Sequence, residues 1–309
     1  MPAGSQRHDR NDVVYDSLIV GAGPAGLVAA TYLARFRRSV LLLDAGGSRA
    51  RRIPETHNCP GFPDGIGGDD LLDRLRAQAR GVGVPVCADS ATCIHRDGAA
   101  FRVKGELAVY RARTVIAATG IVDRLPEWDG VEKAIESGIV RLCPVCDAYE
   151  AGDQRIAVFG RGKDCVSHAA FLRTWSRSVT AIHAPDDEPG EAHRALAGKL
   201  AIDVLAAHET DGRLDADGFR IERDGGETQR FDVVYVALGA AARTTLFDSL
   251  QPDSDANGEL RIDAKGRTSI EGVYAIGDAV SALNQLSVAF GHAAVAASAI
   301  HQALPRNPL

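Results

Sequence analysis

An α/β fold with two Rossmann-like units is what this sequence predicts, on three observations. A Gly-rich turn, Gly21-Ala22-Gly23-Pro24-Ala25-Gly26, joins a buried-strand pattern to a helix pattern, and an acid closes the following strand. A second copy of this strand–turn–helix–strand pattern starts at Arg155. Between the copies lies Cys143-Pro144-Val145-Cys146-Asp147, a pair of cysteines at redox spacing. At 309 residues the chain exceeds the size at which a single core keeps growing, so two domains are expected.

Composition narrows the class. Hydrophobic residues at 45% and charged residues at 25% are those of an ordinary soluble globular protein. A formal charge of −6 argues against nucleic acid as a partner. Met1 to Asp12 is polar, with no apolar stretch that would serve as a secretory signal. Nor is there an apolar run of about 18 residues to span a membrane. The six cysteines are too few for a disulfide-stapled secreted scaffold, so a reducing cytoplasm is the expected compartment.

The first unit opens with Val13–Val20, an apolar run suited to a buried parallel strand. The three glycines that follow serve a tight turn, backbone approach to a pyrophosphate, and close helix–strand packing. Pro24 has its φ preset for a first helical turn, where its missing N–H costs nothing. A helix is expected over Ala25–Phe36 and a strand over Ser39–Leu43. Asp44, 23 positions after Gly21, stands where a carboxylate accepts from the ribose diol of an adenosine.

Arg49, Arg51 and Arg52 read as a solvated basic turn or as phosphate contacts. His57–Pro63 is a loop stiffened by two prolines, and Asp69–Arg80 has helical periodicity. Residues 84–94 and 100–104 read as strands with Arg96-Asp97-Gly98 as their turn, and Thr114–Ala118 as a buried strand closed by Thr119-Gly120. A turn-rich stretch, 123–130, marks a domain crossing.

The cysteine pair can close a small disulfide or open to a dithiol of low thiol pKa. The alternatives to a redox pair are half a zinc site or an inert pair, and Cys59, Cys87, Cys93 and Cys165 supply no second pair at ligand spacing. In the second unit, Arg155–Phe159 is the strand, Gly160-Arg161-Gly162-Lys163-Asp164-Cys165 the turn, 163–174 the helix and Ser178–His183 the next strand. Cys165 takes the third glycine's place, and His183 the ribose acid's. Phe231–Leu238 and Val273–Ile276 are further strands, and Leu286–Leu304 is an Ala-rich helix.

The order of Gly-Ala-Gly-Pro-Ala-Gly, Asn58-Cys-Pro-Gly-Phe-Pro, Ala118-Thr119-Gly120, Cys-Pro-Val-Cys-Asp, Gly-Arg-Gly, Leu238-Gly239 and Ile276-Gly277-Asp278 resembles the low-molecular-weight thioredoxin reductase family. The resemblance implies two Rossmann-like, three-layer domains of the FAD/NAD(P)-binding kind, the second inserted in the first. An FAD-binding domain would comprise 1–118 and 244–309, and a pyridine-nucleotide-like domain carrying the cysteine pair would comprise 119–243. It also implies homodimers, a domain rotation, and a thioredoxin-like protein or a small disulfide or dithiol as partner. Carried over by position, Gly21, Gly23, Pro24, Ala25 and Gly26 hold the FAD pyrophosphate and Asp44 its ribose. Asn58 lies on the flavin side, Thr119, Gly120 and Gly277 line the cofactor, Asp278 bonds the ribityl chain, and Gln285 lies near the isoalloxazine. Cys146 would face the flavin, Cys143 would attack the partner disulfide, and Asp147 would be the general acid and base. No metal is implied.

This chain departs from the family pattern at two places. Where the family carries arginines for the NADPH 2′-phosphate, it reads His183-Ala184-Pro185-Asp186-Asp187-Glu188-Pro189. The family's Arg-Gln pair at the flavin is Asn284-Gln285, with His292 two helical turns beyond. NADPH and NADH are therefore doubtful donors. Three readings follow: a disulfide reductase fed by NADH, poorly bound NADPH or a donor such as a ferredoxin; an oxygen-dependent dithiol oxidase that uses no NAD(P)H; and a non-enzymatic, flavin-bearing redox sensor. Relatives of the oxidase kind often place His after the second cysteine, so Asp147 favours a reductase.

Overall fold

The apolar runs at Val14–Val20 and Val40–Leu43 pair in parallel, Leu18 against Leu41 and Val20 against Leu43, because both faces of this sheet are covered. The computed structural model describes residues 13–222, 227–280 and 283–308; the polar stretch Met1–Asp12 lies outside the described residues. The chain divides into two compact units: Met1–Arg51, Asp69–Val122 and Ala241–Leu309 form one, Arg52–Gly68 and Asp123–Ala240 the other.

In the first unit the strand order is Val86–Cys87, Val40–Leu43, Val14–Val20, Val109–Ala117. The last of these strands is used twice. Its first half pairs antiparallel with Ala100–Gly105, and its second half pairs parallel with Val273–Ala275. Helices Pro24–Arg35 and Leu286–Ala303 pack on each other. The buried stripe of the second helix, Ala289, Ala293, Ala296, Ala297 and Ile300, repeats at helical spacing and is small enough for close approach. Buried Arg38 holds that helix's end, donating from Nη2 to the His301 carbonyl at 2.9 Å.

The second unit is a parallel sheet ordered Asp203–Ala206, Val179–His183, Ile156–Gly160, Val233–Ala237, Val140–Arg141. A separate antiparallel sheet, Gly212–Asp215, Gly218–Glu222 and Thr228–Phe231, adds Phe219 and Phe231 to a core around Trp128. Both main sheets have the doubly wound order expected of Rossmann-like units.

Local structure differs from the sequence expectation at several points. Residues 84–94 make two strands, Val86–Cys87 and Ala91–Asp97, broken by buried Asp89. Its carboxylate accepts from the Ser90 amide at 2.8 Å, the Leu107 amide at 3.1 Å and the Tyr110 hydroxyl at 2.8 Å, which a straight strand could not offer. The hairpin turns at Gly98-Ala99, since Asp97 still pairs with Ala100. Phe231 ends the antiparallel sheet instead of opening the parallel strand, and Val131–Glu136 is a short helix beyond the crossing. Arg49, Arg51 and Arg52 each meet a carboxylate: Asp278 at 4.0 Å, Asp69 at 3.9 Å and Glu132 at 2.5 Å.

Candidate active site

Strand Val140–Arg141 delivers the cysteine pair to the carboxyl end of the second unit's sheet. Cys143 is extended (φ −149°) and caps a single helical turn, Pro144–Asp147, in which Pro144 needs no N–H. The Cys146 amide donates to the Cys143 carbonyl at 2.9 Å, so the turn brings the two Cα atoms to 5.3 Å, and the sulfurs are disulfide-bonded. Neither sulfur's residue is buried; Val145 and Tyr149 beside them are exposed, Tyr149 at 81%.

Asp147 turns inward from this exposed rim. Strand register sets Tyr235 against Arg141, and both converge on it. The Tyr235 hydroxyl donates to Asp147 Oδ1 at 2.8 Å, and Arg141 Nη1 donates to the Asp147 carbonyl at 2.8 Å while lying 3.9 Å from Oδ1. Burial pushes the Asp147 carboxyl above the ordinary carboxylate range, against the pull of the Arg141 charge and the Tyr235 hydrogen bond; Glu150 adds to the rise. Arg141 and Tyr235 escaped the sequence reading. The signal was a lone tyrosine inside the apolar run Val233-Val234-Tyr235-Val236.

The first unit assembles most of the predicted cofactor residues. The Gly21 amide donates to the Leu43 carbonyl, the Ala118 amide to Val20, and the Ile276 amide to Ala117, which gathers three motifs at one end of the sheet. Gly21 has φ +109°, and a Cβ there would lie 2.3 Å from the Ala118 carbonyl oxygen; a Cβ on Gly26 would lie 1.9 Å from that of Gly21. At Gly23 the one atom a Cβ would meet among the described residues is Ser48 Oγ, at 3.4 Å. Gly277 packs on Ala25, so Asp278 lies beside the first Gly-rich turn. Asp44 accepts from the Gly46 amide at 2.9 Å and pairs with Arg76 at 3.6 Å. Gln285 caps the last helix and donates to the Asn284 carbonyl at 3.0 Å. Among the described residues, Thr119 Oγ1, Asn284 Oδ1 and His292 Nδ1 here are buried without a hydrogen-bond partner. Burial holds the His292 imidazole below its usual pKa, with Asp278 pulling the other way. Asn58 belongs to the segment Arg52–Gly68, grouped with the second unit, where it accepts from Thr56 Oγ1 at 2.9 Å.

The Gly-rich turn of the second unit is built differently. Cys165 is fully buried, donates from Sγ to the Gly162 carbonyl at 3.3 Å, and has its thiol pKa pushed up to about 12 by burial. His183 is buried, and its Nδ1 donates to the Ala184 carbonyl at 2.8 Å. Residues 185–188 are exposed, yet Asp187 Oδ2 accepts from the Gly162 amide at 3.1 Å. Among the described residues no group of His, Cys, Asp and Glu could hold a metal ion, and no helix is long and apolar enough to cross a membrane.

The model of the pyridine nucleotide-disulphide oxidoreductase family matches residues 15–297. A thioredoxin reductase of Streptomyces coelicolor is 33% identical over 283 residues, covering 86% of each chain. One from Peptoclostridium acidaminophilum is 30% identical, over 95% of this chain and 98% of its own. Among solved structures, thioredoxin reductase from Streptococcus pyogenes superposes with a TM-score of 0.86 at 28% identity, over 94% of this chain and 97% of that one. Two doubly wound units, a disulfide at the sheet end of the second and matches along nearly the whole chain agree: this protein is an enzyme of the pyridine nucleotide-disulphide oxidoreductase family, in its low-molecular-weight thioredoxin reductase branch.

Proposed function

We propose that the protein is an FAD-dependent thiol–disulfide oxidoreductase that exchanges electrons between flavin and the Cys143–Cys146 disulfide, and between that pair and a thioredoxin-like protein or small disulfide. The observation that carries this reading is the half-exposed disulfide on a helical turn beside a carboxyl of raised pKa. The domain carrying the FAD is 1–118 with 244–309, and the inserted one, 119–243, carries the cysteine pair.

The residues of the first unit fit the cofactor. Gly21 and Gly26 let strand, turn and helix pack closely, Gly23 with Pro24 and Ala25 presents open backbone to a pyrophosphate, and Asp44 keeps acceptor capacity for a ribose diol. Thr119 Oγ1, Asn284 Oδ1 and His292 Nδ1 are unsatisfied buried groups awaiting partners, and Gly120, Gly277, Asp278 and Gln285 share that region. FAD supplies a two-electron reservoir when bound.

Opening the disulfide breaks one S–S bond and takes up two electrons and two protons. Asp147, whose carboxyl burial makes easier to protonate, gives a proton to the departing thiolate, and Tyr235 and Arg141 hold its carboxyl in place. Cys143 then attacks the partner's disulfide as a thiolate, and Cys146 resolves the mixed disulfide, returning the pair to its oxidised state and the partner to its dithiol. A second reading, an oxygen-dependent dithiol oxidase in which a small dithiol is oxidised by the Cys143–Cys146 disulfide and oxygen finally takes the electron pair, is supported over an NADPH-fed reductase by the Asp187 contact at the second turn.

The test is anaerobic titration of the oxidised holoprotein with NADPH, NADH and a small dithiol, following the flavin band. About one FAD per chain and bleaching by the dithiol are expected. Cys146→Ser should lose thiolate–flavin charge-transfer absorbance on reduction and Cys143→Ser should keep it, with turnover abolished in both. A folded protein that takes up no FAD, or a double variant that still turns over a disulfide, refutes the reading.

A further inference from the structure

The loop after strand Val179–His183 folds back onto the Gly-rich turn of its own unit. The Asp187 amide donates to the Ala184 carbonyl at 3.0 Å, which closes the loop into a turn. Asp187 Oδ2 then accepts from the Gly162 amide at 3.1 Å. Gly162 is the first residue of the eleven-residue helix Gly162–Leu172, so this N–H is one of the orphan donors at the helix's positive end. Those donors are what a Rossmann-like unit offers a pyrophosphate.

Space at the turn is taken as well as charge. A Cβ on Gly162 would lie 2.2 Å from the Asp187 carbonyl oxygen, 2.8 Å from the Glu188 carbonyl carbon and 2.9 Å from the Pro189 nitrogen. Backbone is thus packed directly on the glycine, and Pro189 is buried there. At the matching glycine of the first unit, Gly23, the one neighbour in range among the described residues is the tip of Ser48, at 3.4 Å. The carboxylate after that unit's second strand, Asp44, bonds Gly46 and Arg76 and leaves the turn alone.

We infer that Asp187 is a built-in stand-in for a dinucleotide pyrophosphate: its carboxylate takes the anion's donor, the Asp187–Pro189 backbone takes the anion's place, and the second unit thereby rejects NADH and NADPH alike. The missing arginines explain only discrimination against the 2′-phosphate. A carboxylate on the Gly162 amide acts on the part both nucleotides share, because a pyrophosphate can approach only by displacing it or by accepting like-charge repulsion. Of the three carboxylates it is Asp187 that accepts from the Gly162 amide; Glu188 pairs with Arg194 at 3.3 Å, and Asp186, exposed on the same loop as Asp187, serves as the control for charge alone. The inference goes beyond the disulfide chemistry proposed above and does not rest on it.

The experiment is calorimetric titration of the oxidised holoprotein with NAD⁺ and NADP⁺, which bind without turnover, in wild type, Asp187→Ala, Asp187→Asn and Asp186→Ala. Wild type should show no saturable binding of either nucleotide up to about 1 mM. Asp187→Ala should gain at least about tenfold for NAD⁺, and less for NADP⁺, whose 2′-phosphate still lacks a partner. Asp187→Asn keeps an acceptor for Gly162 but drops the charge, and should gain less than the alanine. Asp186→Ala should match wild type. Low-micromolar binding by wild type overturns the inference, as does an equal gain in Asp186→Ala. So does the absence of any gain in folded Asp187→Ala or, should that variant not fold, in Asp187→Asn. Reduction of wild-type flavin by a small dithiol reports separately on the thiol–disulfide reading, so the two fail independently.

Discussion

The two Gly-rich turns of this chain begin alike and end differently. In both, the first glycine presses on the neighbouring strand's end: a Cβ on Gly21 would lie 2.3 Å from the Ala118 carbonyl oxygen, and one on Gly160 would lie 2.4 Å from that of Ala237. The third position separates them. Gly26 allows its helix to touch the turn, whereas Cys165 fills the same position with a buried thiol bonded to Gly162. One turn meets only Ser48 at its second glycine among the described residues and is followed by an acid; the other is followed by a buried histidine and bonded by Asp187. The strand–turn–helix scaffold therefore survives on packing alone, while binding depends on a few side chains that packing does not require. The second unit's chemistry lies at a different edge of its sheet, where Val140–Arg141 presents the disulfide.

The sharpest way to break this contrast is Gly26→Ala. The added methyl would fall 1.9 Å from the Gly21 carbonyl oxygen, which nothing but backbone movement can relieve. Overpacking of this kind costs about 1–3 kcal/mol, and the purified variant should be colourless and fail to take up FAD. A yellow, fully loaded Gly26→Ala would show that the first turn is as dispensable as the second.

Asp147→Asn should slow disulfide turnover about a hundredfold, the usual worth of one positioned acid. The carboxyl's folded pKa is raised, so its stabilising contribution is present at low pH and is lost as pH rises through that value. The substitution should accordingly leave Tm at neutral pH unchanged or higher, a pattern that separates catalysis from structure.

Tyr235→Phe removes a hydrogen bond that lowers the Asp147 pKa. The alkaline fall in turnover should therefore move to higher pH, by about one unit or less, with a rate loss below about tenfold. A shift to lower pH would contradict the arrangement.

The smallest effect concerns the ribose position. His183→Asp alone should bring no nucleotide binding while Asp187 closes the turn. In the Asp187→Ala background it should add about threefold for NAD⁺, a coupling a double-mutant cycle reads directly. Equal gains in both backgrounds would mean that the turn was never closed.

From its sequence alone this chain declared both Gly-rich units, the strands that precede them and the cysteine pair, because these depend on short-range rules. An apolar run of five to seven residues buries itself in a parallel sheet, a glycine takes φ values that others avoid, and an i, i+3 cysteine spacing suits one helical turn. It did not disclose the break at Asp89, whose partners Leu107 and Tyr110 lie across a hairpin, or the sheet built on Phe219 and Phe231. Tyr235 and Asp147 are 88 positions apart, and Asp187 and Gly162 are 25 apart. Only the register of Val233–Ala237 on Val140–Arg141 makes the first pair neighbours, and only the fold-back of the loop makes the second. Local sequence sets what each segment can form; which carboxylate finds which donor is decided when the sheets assemble, because a hydrogen bond needs both partners within about 3 Å and the chain order does not record that distance.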